Sequence, residues 1–210
     1  MVLICVSWSD IRQPAEGNTI SNSDTREAII TAADDLFYRQ GFEHTSFADI
    51  AGVVKISRGN FYHHFRSKDQ ILEAVIARRL MDRQDMLDRW NADSNDPEAR
   101  IRSFIYVLVM NQTKIKHYGC PLGTLTSELA KLNHPAKQGA NKLFELFRSW
   151  LRHQFTALGY QADADSLAMQ LLARSQGAAT LWNAFQDEAF IRTEVDQMVA
   201  WLASLARHEV

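Results

Sequence analysis

From Asp24 to about Ala206 the apolar residues of this chain recur at three- and four-residue spacing, and nowhere do they alternate with polar ones. That pattern fits helices with one buried stripe and leaves no segment that reads as a half-buried strand. Four prolines and nine glycines in 210 residues are few enough to leave long helical runs unbroken. The expectation is an all-α protein of about nine helices, with a core that a chain this long can bury.

The punctuation divides the pattern. Residues 1–23, with Pro14, Gly17, Asn18, Ser21 and Asn22, carry no sustained period and read as a largely disordered extension; an over-long translated start would read the same way. Asp24 with Glu27 has capping-box spacing, and Ile29, Ala33, Leu36 and Phe37 then follow until Gly41 stops the helix. Thr45-Ser46 can cap a short helix bearing Phe47, Ile50, Ala51 and Val54. After a tight connection at Lys55-Ile56, Ser57 can cap a second, Arg58 to His64, with Phe61 and Phe65 inward. A long helix runs from Lys68 to about Trp90. Asp96-Pro97-Glu98 starts the next, which fades near His117. Gly119-Cys120-Pro121 begins a short helix to Leu132, His134-Pro135 a long one to Gly159, and two more run from about Asp163 to Phe185 and Glu188 to Ala206. This divides the chain into an amino-terminal helical domain, 24–68, and a carboxy-terminal one, 69–210.

Charge singles out one stretch. The whole chain sums to −2, but residues 50–68 contain Lys55, Arg58, Arg66 and Lys68 and no acid, a local +4. The two short helices of 46–65 have the outline of a helix-turn-helix, whose second helix can lie in the DNA major groove. Arg58 can donate two hydrogen bonds to a guanine edge and Asn60 can pair with adenine. Gly59 lets the helix approach the groove wall, and Tyr62, His63 and His64 can bond bases or phosphates. Thr45, Ser46 and Ser57 stand at helix starts, where hydroxyl and exposed amides suit a phosphate. A surface hairpin with a solvated basic side would carry the same pattern.

The run from Thr25-Arg26-Glu27-Ala28 through Gly41-Phe42, Thr45-Ser46-Phe47, Asp49-Ile50-Ala51 and Ile56-Ser57-Arg58-Gly59-Asn60-Phe61-Tyr62-His63-His64-Phe65 to Ser67-Lys68 and Leu72 resembles the amino-terminal domain of TetR-type transcriptional regulators. The likeness covers about 50 continuous residues. It implies a homodimer that binds double-stranded operator DNA and responds to a small effector held by the carboxy-terminal helices. By resemblance, base contacts fall to Arg58, Gly59, Asn60, Tyr62 and His63, and phosphate contacts to Thr45, Ser46, Tyr62, His64 and Lys68. Four phosphates per subunit would give a log–log salt slope of roughly −7 for a dimer. One departure stands out. The turn usually reads Ala-Gly and here reads Val54-Lys55, so its left-handed geometry is in question.

Further along, Leu167, Leu171, Ala178, Leu181, Trp182, Val195, Met198, Val199, Leu202 and Leu205 make the last two helices apolar enough to pair with their copies across a two-fold axis. The same residues would equally serve as ordinary core. Phe104, Leu108, Phe144, Phe147 and Trp150, with the polar Gln112 and Arg174, are candidates to line an effector cavity, or simply fill the interior. Cys120 at a helix start, near Lys114, Lys116 and His117, is a candidate reactive thiol or a bland buried one. Its segment, Gly119-Cys120-Pro121-Leu122-Gly123 with Leu125 and Glu128-Leu129, resembles the branch of the family that includes NemR and AcuR, some of which govern genes for handling reactive or toxic small molecules.

Other functions find less support. There is no phosphate loop and no convincing Ser-His-acid or Cys-His arrangement, so no enzyme and no cofactor is expected. Adjacent His63-His64 cannot share one helix-face site, and His117 with Cys120 offers two of the usual four ligands, so no metal is expected either. Cys5 and Cys120 are too few for a disulfide scaffold. The apolar opening octet lacks a basic start, and apolar runs fall short of the roughly 18 residues of a membrane span. The expected setting is the cytoplasm, away from membranes, with a helical protein-binding adaptor as the alternative function.

Overall fold

The structure, a computed structural model, describes residues 22–205, and the readings of residues 1–21 lie outside them. The described residues form ten helices and no strand: α1 (Asn22–Gln40), α2 (Phe47–Val54), α3 (Arg58–His64), α4 (Lys68–Asp93), α5 (Pro97–Met110), α6 (Gln112–Tyr118), α7 (Pro121–Lys131), α8 (Lys137–Ala157), α9 (Ala164–Phe185) and α10 (Glu188–Leu205). The tenth helix arises at Asn111. Its side-chain Nδ2 and its own amide both donate to the Val107 carbonyl at 3.0 Å, so a side chain competes for a helical acceptor and the helix breaks into α5 and α6. At the other end α1 starts at Asn22, which puts Asp24 inside its first turn instead of at its cap.

The described chain divides into two compact units, one of residues 22–82 and 121–143, the other of 83–120 and 144–205. The first is larger than the 24–68 segment because α1, α2 and α3 close their core against α4 and α7. Ile29, Ala33 and Phe37 of α1 cluster with Ile50 and Phe61, with Ile71, Leu72 and Val75 of α4, and with Leu125 and Leu129 of α7. Burying each such side chain contributes about 1.5–3 kcal/mol. Arg79 of α4 is 2% exposed. It donates to Asp34 of α1 at 2.7 Å and to the Pro121 carbonyl at 2.8 Å, so α1, α4 and α7 are joined by a buried charge that keeps its partners.

The second unit is built on α5, α6, α9 and α10, the end of α4 and most of α8. Ile101, Phe104 and Ile105 of α5 and Leu171, Leu172 and Trp182 of α9 are buried with Val195, Met198 and Leu202 of α10. The indole of Trp182 donates to the Gln112 carbonyl at 2.8 Å, and Asn183 Nδ2 donates to the Lys116 carbonyl at 2.9 Å, so α9 satisfies acceptors of α6. Among the described residues no helix is long and apolar enough to cross a membrane.

Candidate nucleic-acid interface

Both short helices are capped as their sequence requires. Ser46 Oγ accepts from the Asp49 amide at 3.2 Å, while Asp49 accepts from the Ser46 amide at 2.8 Å, a reciprocal capping box. The Ser46 hydroxyl also donates to the Asp49 carboxylate at 2.7 Å, and that bond first and the amide second hold the carboxyl below the usual range. Ser57 Oγ accepts from the Asn60 amide at 3.3 Å and starts α3. Between them Lys55 takes φ 59 and ψ 43, and its amide donates to the Ala51 carbonyl. The turn therefore keeps left-handed geometry on a lysine, at a cost of about 1–2 kcal/mol relative to glycine.

The α2–α3 angle is set by rings. Phe47 meets Phe61 edge-on at 5.1 Å and lies 5.6 Å from Tyr62. With Phe61 and Phe65 inward, α3 turns Arg58, Gly59, Asn60, Tyr62 and His63 to solvent together. Tyr62 is 51% exposed. Among the described residues, a Cβ on Gly59 would meet nothing within 4 Å. Lys55, Arg58 and Arg66 add exposed positive charge.

Three of the residues expected at phosphates are less open than the rest. Thr45 is 1% exposed, and its hydroxyl donates to the Gly41 carbonyl at 2.7 Å, so it fastens the end of α1. Lys68 turns inward: its Nζ donates to the Phe42 carbonyl at 2.9 Å and the Glu43 carbonyl at 3.2 Å, and lies 4.3 Å from the Phe42 ring centroid. His64 is half-buried, with Nε2 shut from solvent and without a hydrogen-bond partner among the described residues. Ser46 and Ser57 stay exposed. On the outer side of α2, Gly52 is exposed with open space around it and Val53 is 58% exposed.

Residues 29–75, which span this element, match the model of the bacterial regulatory proteins of the tetR family, and residues 97–197 match the LmrA/YxaF-like transcriptional regulator carboxy-terminal domain. The chain belongs to the TetR family. It is a transcriptional regulator and not an enzyme. A helix-turn-helix regulator from the lacX 3′ region of Lactococcus lactis subsp. lactis is 27% identical over 177 residues, 82% of this chain and 90% of that one. A TetR-family regulator from Agrobacterium tumefaciens shares the fold with a TM-score of 0.76 at 21% identity, covering 86% of this chain and 98% of that one. Reduced NemR of E. coli shares it with a TM-score of 0.69 at 19% identity, covering 83% and 95%.

For a TetR-family member the carboxy-terminal candidates are placed unevenly. Phe104 and Phe147 are buried with ring centroids 5.6 Å apart, and Leu108 is buried as well. Arg174 bonds Glu194 at 3.1 Å and Gln197 at 2.9 Å, which commits it to the α9–α10 contact. Gln112, Phe144 and Cys120 are half-buried. A cavity of about 550 Å³, open to solvent, is lined by Gln84, Leu87, Asn91, Arg100, Leu146, Ser149, Trp150, His153 and Gln154. Of the expected effector residues Trp150 alone borders it, its indole donating to Asn91 Oδ1 at 3.1 Å. Among the residues named for the dimer, Leu171, Ala178, Trp182, Val195, Met198 and Leu202 are buried within the chain itself. Leu181 is exposed, and Leu167, Val199 and Leu205 are half-buried.

Proposed function

We propose that this regulator is a repressor that binds a palindromic operator as a homodimer and is released by a small apolar or electrophilic effector. The observation that carries the reading is the outer face of α3, where Arg58, Asn60, Tyr62 and His63 are exposed together around a glycine with open space at its Cβ position among the described residues. Arg58 reads guanine, Asn60 reads adenine, and Gly59 gives the clearance for both. Two copies of a subunit related by a two-fold axis place two such helices in successive major grooves, hence the palindrome. The partner-facing surface falls to the outward residues of α9 and α10: Met169, Leu181 and Phe185, with Leu167, Val199 and Leu205 at its margin. Its place of action is the cytoplasm, where operator DNA lies.

Selection from random duplexes at moderate salt tests this. Enrichment of a palindrome, lost with Tyr62→Ala, is the expected outcome, and no enrichment returns the chain to the adaptor reading. The effector acts by binding better to a form whose reading helices are wrongly spaced, which shifts the population off DNA. Cys120, half-buried in the segment ahead of α7, is the proposed point of attack for an electrophile. Unchanged DNA binding and unchanged release in Cys120→Ser would remove that role.

A further inference from the structure

The turn between α1 and α2 is held from α7. The Glu128 carboxylate accepts the Phe42 amide at 3.0 Å and the Glu43 amide at 2.9 Å, while Lys68 takes the carbonyls of the same two residues. The amide and the carbonyl of both Phe42 and Glu43 thus have charged partners, and hydrogen bonds to charged groups are the stronger kind. Gly41 makes room for this. It sits at φ +90, and a Cβ there would stand 2.9 Å from Glu128 Oε1. Three residues beyond Glu43, Ser46 caps α2, so whatever fixes the turn fixes the direction in which α2 leaves and α3 is presented. The helix that carries Glu128 is fixed in turn by Leu125 and Leu129 in the core and by Arg79 on the Pro121 carbonyl. Yet Glu128 lies in the stretch matched as a carboxy-terminal regulator domain, and the turn in the stretch matched as the DNA-binding one.

We propose that Glu128 is a positioning residue for DNA recognition, through which α7 sets the angle of the reading helices. The proposal rests on the DNA-binding reading above. Electrostatics gives it a sharp sign. Removing a carboxylate from a DNA-binding unit should, by charge alone, raise affinity for phosphates. A positioning role predicts the reverse.

The test uses the full chain, the selected palindromic duplex and Glu128→Gln, whose amide nitrogen cannot accept the second turn N–H. Duplex affinity is expected to fall about tenfold. The salt slope stays at the wild-type value, and the Phe42 and Glu43 amide resonances move. Equal or higher affinity in the variant, with those resonances moved, overturns the positioning role while wild-type binding leaves the operator reading intact. A wild-type chain that binds no duplex overturns both. Should Glu128→Gln fail to fold, Glu128→Asp, one methylene too short to reach both amides, takes the same two measurements with the same outcomes.

Discussion

The reading helix α3 and the helix pair α9–α10 answer the question of inside and outside in opposite ways. In α3 the five residues assigned to base contacts, Arg58, Gly59, Asn60, Tyr62 and His63, all face solvent. In α9 and α10 six of the ten residues assigned to a partner are packed inside their own subunit. The cause is the width of the apolar face. A seven-residue helix with only Phe61 to bury has one way to sit, so its polar residues must point out. In α9, Leu171, Leu172 and Trp182 face the core while Met169, Leu181 and Phe185 face out, with both sets at helical spacing. A helix that is apolar on two sides does not reveal in its sequence which side its own subunit takes.

The strongest way to break this contrast is at neighbouring residues of α9. Trp182 is 1% exposed and Phe185 is 73% exposed. Trp182→Ala should destabilise the fold by about 3–5 kcal/mol, lowering the denaturant midpoint. Phe185→Ala should leave that midpoint nearly unchanged and weaken self-association, seen as a concentration-dependent shift in sedimentation. An equal effect of the two on unfolding would end the distinction between core side and partner side. On α3 the expected pattern is the reverse of Trp182. Tyr62→Ala should cost about 1–3 kcal/mol of duplex affinity, read by titration at fixed salt, with little change in unfolding.

Gly59→Ala sharpens the comparison, because stability and function should move in opposite directions. Alanine stabilises a helix interior by about 0.5–1 kcal/mol over glycine, and a Cβ here meets nothing. The variant should therefore melt higher and bind DNA more weakly. A gain in both would mean that α3 does not approach a groove wall. Lys55→Gly tests the neighbouring turn. Since Lys55 already has φ 59, glycine relieves strain without altering the path of the chain, and a stabilisation of about 1 kcal/mol in the denaturant midpoint is expected.

How much of this was legible follows from how local each fact is. The caps at Ser46 and Ser57, the inward Phe61 and the outward Arg58 and Asn60 are settled within a few residues, so the sequence carries them. The retained left-handed turn at Lys55 is legible only through the resemblance, since lysine by itself argues against it. The bonds of Thr45 and Lys68 to carbonyls between α1 and α2 are not legible in sequence, because both side chains suit a phosphate as well as a backbone carbonyl. Glu128 reaches the same turn from more than 80 positions along the chain, a pairing that only the packed core of the first unit creates. The aromatic residues of α5 and α8 could either line a void or fill one, and that choice depends on the volume left between helices.

The smallest expected effect comes from the one face of α3 that is neither core nor reader. His64 has its Nε2 buried, and its pKa is lowered from the ordinary 6.5, by burial first and then by the charges of His63 and Arg26. The folded chain thus prefers the neutral imidazole. Between the lowered value and 6.5 the unfolded chain holds more protons than the folded one, so stability rises with pH across that window. It is fully present above the ordinary value and lost as pH falls through the window to the folded value. The Asp49 carboxyl, lowered from 3.8, loses its contribution only at more acid pH, so the two effects separate. Denaturant midpoints at about pH 7.5 and about pH 5.5 should differ less in His64→Asn than in the wild type. An unchanged difference would place the titrating group elsewhere and leave His64 a neutral spacer between the core and the reading face.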